Sequence, residues 1–172
     1  KFTALLGIHF HEIAHIIYCD FAEEQKAIDK IKAGEFYGEL PVPKTQAEVD
    51  ALTEMKDALQ NSAYRPLFQQ IFNDVTNTID DPHDEGKIID EFGGIVEKGI
   101  ATSREALFRS FDYAENILAN DKATKLQKLY ALMLEFARFE DVFARDLEQC
   151  VRDNDIMKMV IDMAKPLSQA RW

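Results

Sequence analysis

Cysteine is scarce in this chain, with only Cys19 and Cys150 among 172 residues. They stand too far apart for a CxxC site and are too few for a disulfide-stapled scaffold. They read as two free thiols, which suits a reducing, cytoplasmic setting. Basic residues are outnumbered: 20 Lys and Arg against 31 Asp and Glu leave a net charge of -11. Nucleic-acid affinity comes mainly from cations that neutralise phosphates, so nucleic acid and anionic membrane are excluded as partners. No uninterrupted apolar run reaches the length of about eighteen residues that a membrane span requires. Val, Ile and Thr never alternate over four or more positions, so strand signals are nearly absent. Internal repeats, low-complexity tracts and domain boundaries are missing as well. What remains, 47% hydrophobic and 30% charged residues, describes one soluble globular domain over 1–172, mostly α-helical, with a sizeable core.

The helical pattern is explicit. Residues 2 to about 32 carry Phe2, Leu6, Phe10, Ile13 and Ile17 as one stripe at three- to four-residue spacing, followed by a Gly- and Pro-rich loop at 34–43. An amphipathic acidic helix spans 45–61, and another spans 64 to about 78. The stretch "IDDPHDEGKIIDEFGG" then breaks and restarts the chain. "TSRE" at 102–105 has capping-box form and predicts a helix start, continuing through Leu107, Phe108, Phe111 and Leu118. A long helix follows from about 122, with Leu126, Leu129, Met133, Phe136, Phe143 and Leu147 inward. A last one covers about 155–164. The chain opens at Lys1 inside a strongly helical apolar segment, as a piece of a longer protein would.

Histidine is rare too, yet three of the four fall within "GIHFHEIAH", residues 7–15. On a helix, His11 and His15 are one turn apart, so both imidazoles can reach one ion at about 2.0 to 2.1 Å. Glu12 points about a hundred degrees away. That offset suits a residue that leaves the metal alone and handles the proton of a zinc-activated water, passing it to a leaving amine. Ala4, Gly7, Tyr18 and Ala22 surround the histidines with mostly small side chains, open to a neighbouring element or ligand. The other faces are apolar, which predicts a helix enclosed on all sides. His9 lies opposite and reads as a packing residue.

A catalytic zinc takes three protein ligands and keeps one position open. The other acid-rich place is "NTIDDPHDEGKIIDEF", residues 77–92. Asp81 as N-cap, Pro82 as first helical residue and Asp84 and Glu85 behind them would make a good helix start. Glu85, however, shares a sector with Ile88, Ile89, Phe92 and Val96, where a carboxylate requires a partner such as a metal. Asp81 falls in the same sector, so the two are alternatives for one role or serve together. His83 points elsewhere.

The run "GIHFHEIAHIIYCD", then Asn77 with Asp81 four residues on, then Glu85, then "FGGIVEKGI" and "ALF", resembles metallopeptidase-like segments that precede von Willebrand factor A domains in bacterial and phage proteins related to CoxE and cobaltochelatase subunits. The resemblance implies a zincin-like fold with its small sheet minimal or upstream of Lys1. Asn77, Asp80, Asp81 and Glu85 match successive positions of its second motif; Asp80 stands where that family has glutamate and Gly93 where it has proline. It favours Asp81 as third ligand, with Glu85 next. It implies a Zn²⁺ cofactor, a peptide or protein substrate, and catalysis through Glu12. Charge developing on the carbonyl oxygen also calls for an oxyanion stabiliser, for which Tyr18, Tyr130 and a residue outside the chain are alternatives. The resemblance equally suits a non-enzymatic metal-binding or scaffold module whose parent chain carries a von Willebrand factor A domain and works with an AAA-type ATPase.

Overall fold

The computed structural model describes residues 1–108, 114–138 and 154–169. It is mostly helical, with no strand among the described residues: α1 (Phe2–Tyr18), α2 (Phe21–Ala33), α3 (Gln46–Gln60), α4 (Arg65–Phe92), α5 (Gly94–Phe108), α6 (Ala114–Ala119), α7 (Lys125–Arg138) and α8 (Asp155–Gln169). Among them, no single helix is long and apolar enough to cross a membrane. The chain forms two compact units, Lys1–Cys19 with Thr76–Trp172, and Asp20–Val75.

In the Asp20–Val75 unit the helix ends are sealed by local chemistry. The Asp20 carboxylate accepts the Glu23 amide at 3.0 Å, and Thr45 with Glu48 forms a reciprocal capping box on α3. Gly34 closes α2 at φ +84°, a conformation that disfavours a side chain. Arg65 then ties the turns together by donating to the carbonyls of Lys32, Leu59 and Gln60. Ala27, Ile31 and Leu59 are the buried residues beneath.

In the other unit, α1 packs closely on α5. Gly7 makes this possible: a Cβ there would lie 2.0 Å from the carbonyl oxygen of Gly99. Ala14, Ile88, Val96 and Ile100 form the apolar part of that layer, with Phe10, Tyr18 and Ile89 against it. Separately, α7 packs on α8 through Leu132, Met133, Phe136, Ile156, Met157 and Val160.

Several expectations are corrected. The predicted helix over 2–32 is broken at Cys19, whose backbone is extended (φ −70°, ψ 136°), because Asp20 caps a new helix; Ala22 therefore belongs to α2. The helix is also not enclosed. Phe2, Ile13 and Ile17 of its apolar stripe are exposed, as are Leu5, Ile8 and Ile16, whereas Gly7 and Ala14 are buried. Close backbone approach to α5 selects the small face over the large apolar one. At Pro82 the chain does not break: α4 runs through it, and Asp81 is a buried interior residue, not an N-cap. The break comes at Gly93 and Gly94, both at positive φ (51° and 52°), where glycine tolerates the turn. "TSRE" lies inside α5, with the Thr102 and Ser103 hydroxyls donating back to the carbonyls of Lys98 and Ile100. Of the helix predicted through Leu118, the described residues give α5 up to Phe108 and α6 from Ala114. Phe111, Phe143, Leu147 and Cys150 lie outside the described residues.

Candidate metal centre

The centre is built by two helices. From α1, His11 and His15 project from the packed face, one turn apart, with rings 83° to one another. From α4, Asp81, Asp84 and Glu85 present carboxylates that are each buried. Positions three and four apart share a helical face, so Asp81 carries the other two with it.

The imidazoles meet through their far nitrogens. His11 Nε2 is 3.2 Å from His15 Nε2, and Asp81 Oδ1 is 3.0 Å from His15 Nε2 and 3.9 Å from His11 Nε2. The near nitrogens face carboxylates instead: His11 Nδ1 lies 2.8 Å from Glu85 Oε1, and His15 Nδ1 lies 3.2 Å from Asp84 Oδ2. A neutral imidazole has one N–H, and with that proton on Nδ1, where Glu85 and Asp84 can accept it, both Nε2 lone pairs converge on each other and on the Asp81 oxygen. In that tautomer a cation at the focus would relieve the repulsion among the three.

The dimensions agree with a cation. Donors at about 2.0 to 2.1 Å from a tetrahedral zinc lie roughly 3.4 Å from one another, which the observed 3.0, 3.2 and 3.9 Å bracket. Metal-binding histidines almost always donate their other N–H to a carboxylate, carbonyl or water. Glu85 stands in that position for His11 and Asp84 for His15. The Glu85 carboxylate also accepts from Arg104, whose Nε lies 2.5 Å from Oε2 and whose Nη2 is paired with the same oxygen. Among these six side chains, three carboxylates and one guanidinium leave two negative charges with the imidazoles neutral, which a divalent cation would cancel.

Of the residues singled out from the sequence, His11, His15, Asp81 and Glu85 therefore come together, and they divide the work: Asp81 faces both Nε2 atoms, and Glu85 faces only the His11 Nδ1. Glu12 is exposed on α1 beside them, with no hydrogen bond or ion pair to the cluster among the described residues. His9 is exposed, His83 is half-buried on α4, Asn77 is exposed and Asp80 is half-buried. Tyr18 is engaged elsewhere. Its hydroxyl donates to Glu91 at 2.5 Å, and this bond, then burial, then the nearby Glu91 and Asp84 charges push its pKa up to about 12. Tyr130 sits on α7, half-buried.

Three participants were not singled out. Asp84 read as a helix-start acid, although its three-residue spacing from Asp81 places it on the same face. Cys19 read as a structural thiol, yet it stands one turn after His15, and its Sγ lies 3.1 Å from His15 Nδ1 and 2.9 Å from Asp84 Oδ2. Arg104 is brought in by α5 and has no signal in the sequence. Beside the cluster lies a cavity of about 370 Å³, lined by Ala4, Ile8, His11, Glu85, Ser103 and Arg104 among others.

Fold and site thus define a helical protein with a two-histidine, one-aspartate donor set held by outer carboxylates. No family model, no curated protein and no solved structure matches the chain.

Proposed function

We propose that this protein is a zinc-dependent hydrolase of the HExxH type that cleaves peptide bonds, in keeping with its resemblance to zincin-like segments. One observation carries the reading: two imidazole nitrogens and a carboxylate oxygen converge within 3.0 to 3.9 Å while the opposite ring nitrogens are occupied by carboxylates. His11, His15 and Asp81 would hold the ion. When bound, zinc polarises a carbonyl and acidifies water. Glu85 and Asp84 fix the two rings and keep their protons on Nδ1. Glu12, exposed to solvent one residue from His11, takes a proton from the attacking water and passes it to the departing amine. The cavity beside His11 offers apolar walls at Ala4 and Ile8 and a cation at Arg104, a place for part of a peptide chain.

The test is a pair of variants assayed on a mixed peptide library by mass spectrometry. Glu12→Gln should keep zinc and lose hydrolysis by about 10²- to 10⁴-fold, and His15→Ala should lose both. Full hydrolysis in Glu12→Gln would sink the mechanism.

A second reading is favoured by the apolar side chains that α1 leaves in solvent, Phe2 at 74% and Ile16 at 73% exposure being the extremes. Such a surface suits a metal-binding scaffold module that docks to other domains. A von Willebrand factor A domain in the same parent chain and an ATPase partner would be its company. Under this reading zinc is held structurally, and Glu12→Gln changes nothing.

A further inference from the structure

His15 is shared between two donor sets. Its Nε2 belongs to the set with His11 and Asp81. Its Nδ1 belongs to a second triangle, with Cys19 Sγ at 3.1 Å and Asp84 Oδ2 at 3.2 Å, closed by 2.9 Å between Cys19 Sγ and Asp84 Oδ2. The three atoms come from a thiol, an imidazole and a buried carboxylate, and each lies within ligating range of one common point. The same three atoms can hold a hydrogen-bonded chain, Nδ1–H to Sγ and S–H to Oδ2, or an ion in place of its protons. The ring nitrogen and the thiol bring at most one hydrogen each, and the carboxylate brings none, so two hydrogens serve three close contacts. If both go to Asp84, the nitrogen and sulfur face one another with nothing between them. A cation at the centre makes all three contacts favourable at once.

We propose that His15 Nδ1, Cys19 Sγ and Asp84 Oδ2 form a second divalent-cation site, so that the His15 ring bridges two ions. The donor set, one sulfur, one nitrogen and one oxygen, fits a borderline-soft ion such as Zn²⁺ or Co²⁺ over Mg²⁺ or Ca²⁺, which take oxygen. Filling the site displaces the proton that His15 Nδ1 gives to Asp84 in the singly loaded protein, together with the thiol proton; both leave to solvent. Asp84 then passes from orienting the ring to binding the second ion. The proposal goes beyond the hydrolase reading and uses no catalytic step of it.

The test is titration of the whole metal-free protein with Co²⁺, read by ions bound per chain and by the near-ultraviolet charge-transfer band that only a thiolate ligand produces. The wild-type protein should bind two ions and show the band. Cys19→Ala should bind one ion without the band. His11→Ala should keep the band, because its Cys19 triangle is intact. One ion and no band in the wild-type protein would overturn the second site and leave the His11–His15–Asp81 centre standing. A band that survives in Cys19→Ala would also overturn it. A wild-type protein that binds a single ion with the band, retained in His11→Ala, would support the second site and remove the first.

Discussion

Two helix contacts in the same unit are held by opposite chemistry. Between α7 and α8 the buried residues are Leu132, Met133, Phe136, Ile156, Met157 and Val160, with Glu135 the one buried acid on α7. Between α1, α4 and α5, a smaller apolar set, Ala14, Ile88, Val96 and Ile100, shares its layer with Thr78, Asp81, Asp84 and Glu85. The first contact is stabilised by area and fit, at about 25 cal/mol per Å² of apolar surface removed from water. The second gains less from area and sets charged groups against each other inside the protein, a cost that only pairing offsets. The carboxylates of that layer outnumber its cationic side chains, a balance that a divalent ion would restore.

The difference should show most strongly when the ion is removed. With free zinc about a thousandfold above its Kd, the ion adds roughly 4 kcal/mol to stability, so a chelator should lower the melting temperature of the wild-type protein by more than that of His11→Ala. Differential scanning fluorimetry reads this directly. Leu132→Ala breaks the other contact: it should cost about 2 to 5 kcal/mol through the cavity it leaves, with zinc binding per folded chain unchanged by titration. Gly7→Ala tests how much of the site depends on the approach of α1 to α5. Alanine gains about 1 kcal/mol of helix propensity over glycine, but its Cβ would meet the Gly99 carbonyl at 2.0 Å. The backbones must move apart, and a net loss of about 1 to 2 kcal/mol in chemical denaturation should come with weaker zinc binding. Smallest is Glu85→Gln. The amide still accepts from His11, but it weakens the hold on the ring and its pairing with Arg104, and zinc affinity should fall about 10-fold by competition with a chromogenic chelator.

How far these two contacts were legible in sequence differs for physical reasons. The helix α7 follows from apolar periodicity, since Leu129, Met133 and Phe136 recur at helical spacing and are packed or buried, although Leu126 of the same stripe is exposed. For α1 the same rule gave a stripe of which Phe10 packs against the core while Phe2, Ile13 and Ile17 are exposed. Periodicity finds the most apolar side, whereas Gly7 and Ala14 mark the side that lets another backbone come close, and that side carries His11 and His15. The i, i+4 histidines needed no partner to be noticed. Asp81 was noticed with the wrong local role, because "DDPHDE" is an excellent helix start when read by itself, and nothing short of the tertiary contact says that α4 continues through Pro82. Choosing between Asp81 and Glu85 also required the fold: both share a helical sector, and only the distances separate the carboxylate facing both Nε2 atoms from the one facing a single Nδ1. Asp84 and Cys19 had the right spacings in plain view, three residues from Asp81 and four from His15. Arg104 had none, since a partner brought by another helix leaves no periodic trace.

The most direct test of the metal centre is the zinc content of the purified protein, supplied with zinc and then desalted, measured by elemental mass spectrometry beside His11→Ala. The convergence of His11 Nε2, His15 Nε2 and Asp81 Oδ1 predicts at least one zinc per chain, with one fewer in the variant. Equal zinc in the two proteins, or none in either, would contradict it.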